Sequence, residues 1–306
     1  MKNILVIGSI NMDMVVSAGR VPLPGETVIG DDFCTLPGGK GANQAVAAAK
    51  LCGDVKMLCR VGNDLYGQRL LENLHTHGVQ TPGRCVAEIS SGIAVITVCG
   101  GENSIIVVRG ANAEVTPAFI KENVEFLQWA DIVVMQFEIP METVLYAARK
   151  AKEHGCVTLI NPAPLLPVPN ELLQNTDILV LNEHEAGQML GRVLSTIEEG
   201  KAAVSALLET DIGQIIITLG GQGAVYNSCG EIRHQPAFDV AVVDTTAAGD
   251  SFIGGICAGL CMGFSTDKAV LYATGVAAIT VSSMGACASL PDAEQVEAFL
   301  RERAMA

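Results

Sequence analysis

The stretch Asp244-Thr-Thr-Ala-Ala-Gly-Asp250 lies between an apolar run typical of a β-strand, residues 238–243, and a small-residue pattern typical of a helix, residues 251–260. A strand that turns through small residues into a helix leaves backbone N–H groups unpaired at the start of the helix. Those donors and the positive end of the helix dipole favour an anion. The small residues at 247–249 keep side chains away from it, so the stretch predicts an anion-binding turn of an α/β protein.

Asp250 adds a carboxylate to this turn, where it would repel a bound phosphate. One explanation is that Asp250 accepts a proton from a hydroxyl group that attacks the phosphate. With the ordinary aspartate pKa of about 3.9, its carboxylate would be ionised at neutral pH. The alternative is that Asp250 only caps its helix. The stretch by itself leaves both roles open.

Strand-like and helical patterns alternate along the rest of the chain, most regularly from residue 116 onward. This alternation predicts a three-layer α/β/α fold, a mainly parallel central sheet with helices on both faces. Two β-rich insertions, at about residues 12–35 and 84–109, interrupt the alternation and predict a small β-sheet lid. Because no linker or repeat divides the sequence, we expect a single domain over residues 1–306.

Composition excludes several classes of function. The net charge of −14 argues against a nucleic-acid partner and against an anionic membrane surface, since both require basic patches. The ten cysteines contain no C-x-x-C pair, which indicates reduced, buried thiols in a cytoplasmic protein. The first residues lead directly into a strand pattern and do not resemble a signal peptide.

Polar or glycine-rich stretches follow six of the predicted strands, where the carboxyl ends of parallel strands bind ligands. Some have simpler explanations: Asn182 and Glu185 are spaced as a capping box, and Glu138 as a solvated loop residue. Their common placement on one rim of the sheet favours a shared functional site. The six stretches are 11–13, 136–138, Asn161, 182–185, 218–223 and 244–250.

The segment Gly38-Gly-Lys-Gly-Ala-Asn43 precedes a predicted helix. It is not a Walker A loop, because the first glycine and the Ser or Thr after Lys40 are missing. Its glycines permit close approach of the backbone to a polar ligand, and Asn43 can both donate to and accept from sugar hydroxyls. A helix-start turn with a surface lysine is the alternative. The G-x-G-x-x-G fingerprint is absent after the first strand, which excludes a dinucleotide-dependent oxidoreductase.

The sequence resembles the ribokinase-like, or phosphofructokinase-B-type, carbohydrate kinases over essentially its whole length. Gly38-Gly-Lys-Gly-Ala-Asn-Gln-Ala-Val-Ala-Ala48 and Asp244-Thr-Thr-Ala-Ala-Gly-Asp-Ser-Phe252 are similar to the two signatures of that family. Residues 161–164, 182–185 and 218–223 fit in order and spacing. The resemblance implies ATP-dependent phosphorylation of the 5-hydroxyl of D-ribose. Deoxyribose or another sugar or nucleoside as substrate, and a non-catalytic sugar or nucleotide sensor, are the alternatives.

The resemblance also implies roles for individual residues. The catalytic base would be Asp250, with an anion hole formed by the N–H groups of Ala247, Ala248, Gly249 and Asp250. The sugar would contact Asn11, Met12, Asp13, Gly39, Lys40, Gly41, Ala42, Asn43, Glu138 and Asp250. ATP would contact Asn182, Thr218, Leu219, Gly220, Gly221, Gln222, Gly223, Gly249, Asp250 and Thr274.

Two cations and a homodimer are implied in the same way. Glu185 would help to place Mg²⁺ through water, and the two β insertions would form both the lid and the contact between two copies. Thr274 and Ala288 depart from the residues usual in the family. An activating K⁺ would lie near the anion hole, among Asp244, Thr246, Thr280, Ser283, Gly285 and Ser289.

Overall fold

Strands and helices alternate through the structure, a computed structural model that describes residues 2–83, 85–100, 102–210 and 212–304. The strands are β1 (Ile4–Ile7), β2 (Asn11–Ser17), β3 (Asp32–Gly38), β4 (Val55–Leu58), β5 (Val61–Gly62), β6 (Val79–Gln80), β7 (Val86–Ala87), β8 (Gly92–Cys99), β9 (Glu102–Val108), β10 (Ile132–Gln136), β11 (Val157–Asn161), β12 (Ile178–Asn182), β13 (Gln214–Thr218), β14 (Ala224–Ser228) and β15 (Glu231–Gln235).

The α-helices that cover the sheet are mostly short. They are α1 (Lys40–Cys52), α2 (Leu65–Thr76), α3 (Pro117–Glu122), α4 (Val124–Trp129), α5 (Met141–Glu153), α6 (Asn170–Gln174), α7 (Glu183–Leu190), α8 (Ile197–Leu207), α9 (Ala248–Cys261), α10 (Thr266–Val281), α11 (Ala286–Ser289) and α12 (Ala293–Ala304). No helix in these described ranges is long and apolar enough to cross a membrane.

The central sheet has the strand order β15-β14-β13-β12-β11-β10-β1-β4-β6. Its strands pair in parallel from β13 to β6, and only β14 and β15 are antiparallel. Alternate residues of β1 lie in different cores, with Ile4 and Val6 on one face and Leu5 and Ile7 on the other. Both faces of the sheet are therefore buried, and the three-layer α/β/α prediction is confirmed.

A separate sheet has the order β3-β2-β8-β9 and is called the lid sheet, or lid, after its predicted role. Strand β2 pairs with β8 in parallel, which joins the two predicted insertions. The strands of the lid sheet cover less of the chain than the predicted insertions, and β8, for example, begins only at Gly92. Arg84 and Gly101, within the second predicted insertion, lie outside the described residues.

Helix α9 is held between α1 and α10 by close backbone contacts. A Cβ atom added to Gly254 would lie 2.4 Å from Ala47 Cβ, and one added to Gly255 would lie 2.6 Å from Ala273 Cα. Only glycine permits these approaches. The small-residue pattern of α9 thus lets the middle of this helix pack closely against the middle of α1.

The strand expected at residues 238–243 is wrong. Val242 and Val243 are exposed, and the N–H groups of Val243 and Asp244 donate to the Val281 carbonyl at the end of α10. The segment is thus tied to a helix end and not to the sheet. The hairpin β14–β15 is an addition to the prediction, and its two turn residues, Cys229 and Gly230, both have positive φ. A cysteine at that position is not a usual turn signal.

Candidate active site

A cavity of about 210 Å³ lies at the carboxyl ends of the central strands and combines several predicted stretches. The N-termini of α1, α7 and α9 converge on it. Helix N-termini attract anions, which makes this rim a place for phosphate groups. Its lining residues are Lys40, Asn161, Ala163, Val180, Leu181, Asn182, Glu185, Thr218, Thr245, Ala247, Ala248, Gly249, Asp250 and Ile253.

Asp250 lies in the first turn of α9 and is only 8% exposed. Its Oδ2 accepts a hydrogen bond from Asn43 Nδ2, and its Oδ1 accepts one from Gln44 Nε2, each at 3.0 Å. The N-cap of α9 is Ala247, and no side chain caps this helix. Capping as the role of Asp250 is therefore wrong, and the carboxylate instead connects α9 to α1.

The charge of Asp250 depends on its surroundings. Burial raises the pKa of its carboxyl group above the ordinary value, against the opposing effects of the Lys40 charge and of the hydrogen bonds from Asn43 and Gln44. The expectation of an ordinary aspartate pKa is therefore wrong, because the side chain is desolvated. A base with a raised pKa is closer to the working pH and accepts a proton more readily.

The turn before α9 exposes backbone donors. Ala247 has a left-handed conformation, φ 59°, and the first intrahelical bond runs from the Ser251 N–H to the Ala247 carbonyl. The N–H groups of Gly249 and Asp250 therefore precede the helical ladder. The N–H of Ala248 already donates to the Thr245 carbonyl, so its predicted part in an anion hole is weaker than expected. A Cβ added to Gly249 would meet no atom within 4 Å, which leaves room for an anion.

A second group of carboxylates lies beside the first turn of α1. Glu138 Oε2 accepts hydrogen bonds from Ser9 Oγ at 2.5 Å and from the Lys40 N–H at 3.3 Å, so Glu138 is not a solvated loop residue. Burial, followed by the charges of Glu138 and Asp250, raises the pKa of Asp13 to about 7. The Asp13 carboxylate packs on Gly38, where an added Cβ would lie 2.2 Å from Asp13 Oδ2.

Lys40 is the cation among these carboxylates. Burial lowers its pKa, but the charges of Asp250, Glu138 and Glu185 outweigh that effect and raise it overall. Lys40 is therefore not the surface lysine of the alternative interpretation, and it stays protonated at neutral pH. Its positive charge acts to lower the pKa of both Asp250 and Glu185.

Several predicted sugar contacts also have structural roles. Gly39 and Gly41 let the start of α1 approach the loop after β1, since Cβ atoms there would lie 2.8 Å from Asn11 N and 2.7 Å from Ser9 N. Asn11 Oδ1 accepts a hydrogen bond from Asn112 Nδ2. The side chains of Met12 and Ala42 pack in the core, so neither is directed at the cavity.

The predicted nucleotide residues divide into two groups. Asn182 and Thr218 line the cavity, at the ends of β12 and β13, and the loop 219–223 follows directly after Thr218. Gly223 has a structural role, because an added Cβ would lie 2.0 Å from the Gln235 carbonyl oxygen and only glycine permits this approach. Thr274 is not among the residues that line the cavity; it is buried in α10 and its hydroxyl donates to the Val270 carbonyl at 2.8 Å.

Glu185 has both of the roles that its sequence position permits. It forms the capping box of α7, in which its Oε2 accepts from the Asn182 N–H at 2.9 Å. It also lines the cavity, where burial raises its pKa. Within the part of the chain that the structure describes, no three His, Cys, Asp or Glu side chains converge as a metal cluster.

The loops around Asp244 bring the residues predicted for K⁺ into one neighbourhood. Asp244 Oδ1 accepts from the Thr246 N–H and hydroxyl, and its Oδ2 accepts from the Gly285 N–H at 2.9 Å. Although burial opposes it, these hydrogen bonds lower the pKa of Asp244. The Thr280 and Ser289 hydroxyls each donate to a carbonyl within their own helix, and the Ser283 N–H donates to the Thr280 carbonyl.

Two glutamines belong to the site although neither was predicted individually as a site residue. Gln44 stands in the signature segment next to Asn43, and Gln136 stands at the start of the rim stretch 136–138. Both are buried, and Gln136 Nε2 donates to Gln44 Oε1 at 2.6 Å. Their positions were visible in the sequence, but a buried amide has no pattern that distinguishes a partner of Asp250 from a core residue.

Comparison with known proteins agrees with this geometry. Residues 1–293 match the pfkB family carbohydrate kinases. A ribokinase of Bacillus subtilis (strain 168) is 40% identical over 301 residues, covering 98% of this chain and 100% of that protein. A deoxyribokinase of Salmonella typhi is 36% identical over 301 residues, covering 97% and 98%.

The same relationship holds for three-dimensional structure. The structure of an Arabidopsis thaliana ribokinase complexed with ribose and ATP matches with a TM-score of 0.89 at 33% identity, covering 98% of this chain and 99% of that chain. The match therefore includes both the central sheet and the lid. On the extent of the family match and the identity to full-length relatives, the chain belongs to the pfkB family of carbohydrate kinases.

Proposed function

We propose that this protein transfers the γ-phosphoryl group of ATP to the 5-hydroxyl of D-ribose and yields ribose 5-phosphate and ADP. The observation that carries the proposal is the position of Asp250, a buried carboxylate beside free backbone N–H groups in a cavity shared with Lys40, Asn182 and Thr218. The names of the relatives support ribose as the sugar and ATP as the donor.

In this reaction the 5-hydroxyl oxygen forms a bond to the γ-phosphorus while the bond from that phosphorus to ADP breaks. The hydroxyl proton passes to the carboxylate of Asp250. Because its pKa is raised by burial, Asp250 is a better proton acceptor than an exposed aspartate. Positioned bases of this kind contribute about 10²–10⁴-fold to the rate.

Negative charge in the transition state would be balanced by fixed positive groups. Gly249, Asp250 and Lys40 line the cavity, and the N–H groups of Gly249 and Asp250 donate to no backbone carbonyl among the described residues. Such preorganised donors stabilise charge without reorganisation during the reaction. Asp13 and Glu138 would accept hydrogen bonds from the sugar hydroxyls, with Asn11, Gly39, Gly41 and Asn43 around them.

The residues present fit the two expected cations. Mg²⁺ usually binds through one or two carboxylates together with substrate phosphates, and Glu185 supplies one cavity-lining carboxylate. Mg²⁺ would neutralise the charge of the phosphates. K⁺ requires oxygen ligands, which the Asp244 carboxylate, the hydroxyls of Thr246 and Ser289 and the nearby carbonyls provide.

The lid suggests how the protein assembles. Phe33 and Ile106 are 59% and 68% exposed. The strand register places both on the same face of the lid sheet, an apolar surface that a second copy would cover. We expect residues 1–306 to form one domain, and two copies to form a homodimer through their lids. Ile106→Lys should give a monomer by sedimentation analysis. The ten free thiols suit a reducing cytoplasm.

The decisive experiment measures ATP consumption with ribose, 2-deoxyribose, other pentoses, hexoses and nucleosides, in K⁺ and in a K⁺-free buffer. We expect the highest kcat/KM with ribose, activation by K⁺, and ³¹P–¹³C coupling to C5 of the product. Preference for 2-deoxyribose would identify a deoxyribokinase. Absence of turnover with every sugar and nucleoside, together with binding of either ligand, would favour a sensor.

A further inference from the structure

Gln44 occupies a central position among buried polar side chains in the first turns of α1. It is 1% exposed, and its Nε2 donates both to Asp250 Oδ1 at 3.0 Å and to Asn161 Oδ1 at 3.2 Å. Its Oε1 accepts from Gln136 Nε2 at 2.6 Å. Both hydrogens and the oxygen of the Gln44 amide are thus hydrogen-bonded, although the side chain carries no charge.

The surrounding acceptors fix the orientation of this amide. Asn161 Nδ2 donates to the Val180 carbonyl at 3.0 Å, which leaves its Oδ1 directed at Gln44. If the Gln44 amide were reversed, its oxygen would face two acceptor oxygens, and its NH₂ would face that of Gln136. Only one orientation satisfies the network, and in that orientation Gln44 donates to Asp250.

Gln136 holds the other side of Gln44 at a cost. Its own Oε1 is buried and has no hydrogen-bond partner among the described residues. A Cβ added to Gly8 would lie 2.1 Å from this oxygen, so the backbone directly after β1 confines the side chain. A buried polar atom without a partner typically costs about 1–3 kcal/mol. The arrangement therefore favours a donor to Gln44 over complete satisfaction of Gln136.

We propose that Gln44 is a positioning residue, held by Gln136 and Asn161, that fixes the carboxylate plane of Asp250 and keeps this group ionised for its role as base. The inference rests on the proposed kinase function. A neutral donor stabilises the ionised form of a carboxylate and cannot transfer its own proton to it. With Asn43 on Oδ2 and Gln44 on Oδ1, each oxygen retains a lone pair for the substrate hydroxyl.

Other charged groups also act on Asp250 and must stay constant in a test. Lys40 at the start of α1 favours its ionised form, whereas Asp13 on β2 and Glu185 on α7 disfavour it when they are ionised. Burial raises the pKa of the nearby Cys287 thiol on α11, which therefore stays neutral. Substitution of Gln44 changes none of these groups. Gln68 is an exposed helical glutamine on α2, and Gln68→Glu makes the same chemical change away from the site.

The test compares pH profiles of kcat/KM for Gln44→Glu, Gln44→Met and the control Gln68→Glu. A second carboxylate beside Asp250 should move the acid limb to higher pH by about one unit or more. Gln44→Met keeps the side-chain volume and loses the hydrogen-bond donor, so the acid limb of its kcat/KM profile should move in the same direction but by less. Its kcat should be lower than that of the wild type, and its Kd for ATP should be unchanged. The control should match the wild type.

A folded Gln44→Glu or Gln44→Met variant whose kcat/KM has the wild-type pH profile would refute the positioning role. If Gln44→Glu does not fold, the pH profile of Gln44→Met decides the question. A readout without turnover separates this inference from the kinase proposal. The ¹³C carboxyl resonance of Asp250, assigned by its loss in Asp250→Asn, should titrate at higher pH in Gln44→Glu. If this resonance shifts but the wild-type protein phosphorylates no sugar, the positioning role is supported and the proposed kinase function is rejected. If the resonance does not shift, the positioning role is rejected.

Discussion

Asn43 and Asp250 are 207 positions apart in the chain, and the Asn43 amide donates to the Asp250 carboxylate at 3.0 Å. This hydrogen bond joins the first turns of α1 and α9, the two segments that carry the family signatures. The groups expected to bind the sugar and the group expected to take its proton are therefore held in one rigid unit.

Asp250→Asn removes the proton acceptor and keeps the size of the side chain. We expect kcat to fall by about 10²–10⁴-fold, while ATP and ribose still bind. Steady-state kinetics and isothermal titration calorimetry measure the two effects separately. Turnover equal to that of the wild type would show that another group accepts the proton.

Gly249→Ala tests the anion-binding turn. An added methyl group meets no atom within 4 Å, and alanine favours a helix, so we expect thermal stability equal to or above that of the wild type. The methyl group would occupy the space beside the N–H groups, and kcat/KM for ATP should fall at least about tenfold.

Gly213→Ala is the matched control, since Gly213 lies before β13 at the opposite end of the sheet and its added Cβ makes only an ordinary contact of 3.6 Å. It should leave kinetics unchanged. Equal kinetics of the two variants would place the phosphate elsewhere.

Gly38→Ala should damage the sugar side alone. Its methyl group would overlap the Asp13 carboxylate and displace it, so we expect the KM for ribose to rise about tenfold or more and the KM for ATP to stay constant. In an Asp13→Ser background the overlap disappears, and the same substitution should then have little effect. If the effects of Gly38→Ala and Asp13→Ser on the KM for ribose are simply additive, the contact between residue 38 and the Asp13 carboxylate is contradicted.

Asp13 should make stability depend on pH. Its pKa in the folded protein, about 7, exceeds the value of 3.8 for the free side chain, so the folded state binds this proton more tightly. The resulting stabilisation is complete below pH 3.8 and is lost as the pH rises through 7. Asp13→Asn cannot ionise and should avoid the loss.

The free energy of unfolding of Asp13→Asn, relative to the wild type, should therefore increase between pH 4 and pH 8, by at most about 4 kcal/mol. Urea titrations at several pH values measure this difference. A difference that does not change with pH would show that Asp13 has an ordinary pKa.

The three layers of the fold could be predicted from the sequence because buried parallel strands and capped helices have recognisable local sequence patterns. Thr116 followed by Pro117 is typical of a helix start and the apolar run at 214–218 is typical of a buried strand, and α3 and β13 lie at these positions. The segment 238–243 has the same apolar pattern but bonds to the end of α10, a tertiary contact without a local signal. The β14–β15 hairpin was missed because Cys229 stands where asparagine or aspartate is usual.

The candidate site was predictable as a set of stretches, but not as a set of contacts. Asp250 and Glu138 were identified by their positions after strands, whereas their partners Gln44 and Ser9 depend on how distant segments meet. The raised pKa of Asp250 follows from burial, which one sequence does not reveal. Thr274 was expected at the nucleotide, but its hydroxyl bonds within α10, so its contact with ATP stays a prediction.

The backbone contact between Gly254 and Ala47 has an evolutionary consequence. Gly254 has no side chain and Ala47 has only a methyl group, and an added methyl group at residue 254 would lie 2.4 Å from the one at residue 47. Neither position can accept a larger residue unless the other becomes smaller, and only Ala47 has an atom to lose. Residues 47 of α1 and 254 of α9 are therefore constrained to vary as a pair, and selection for a new substrate has more freedom in the lid than along this contact.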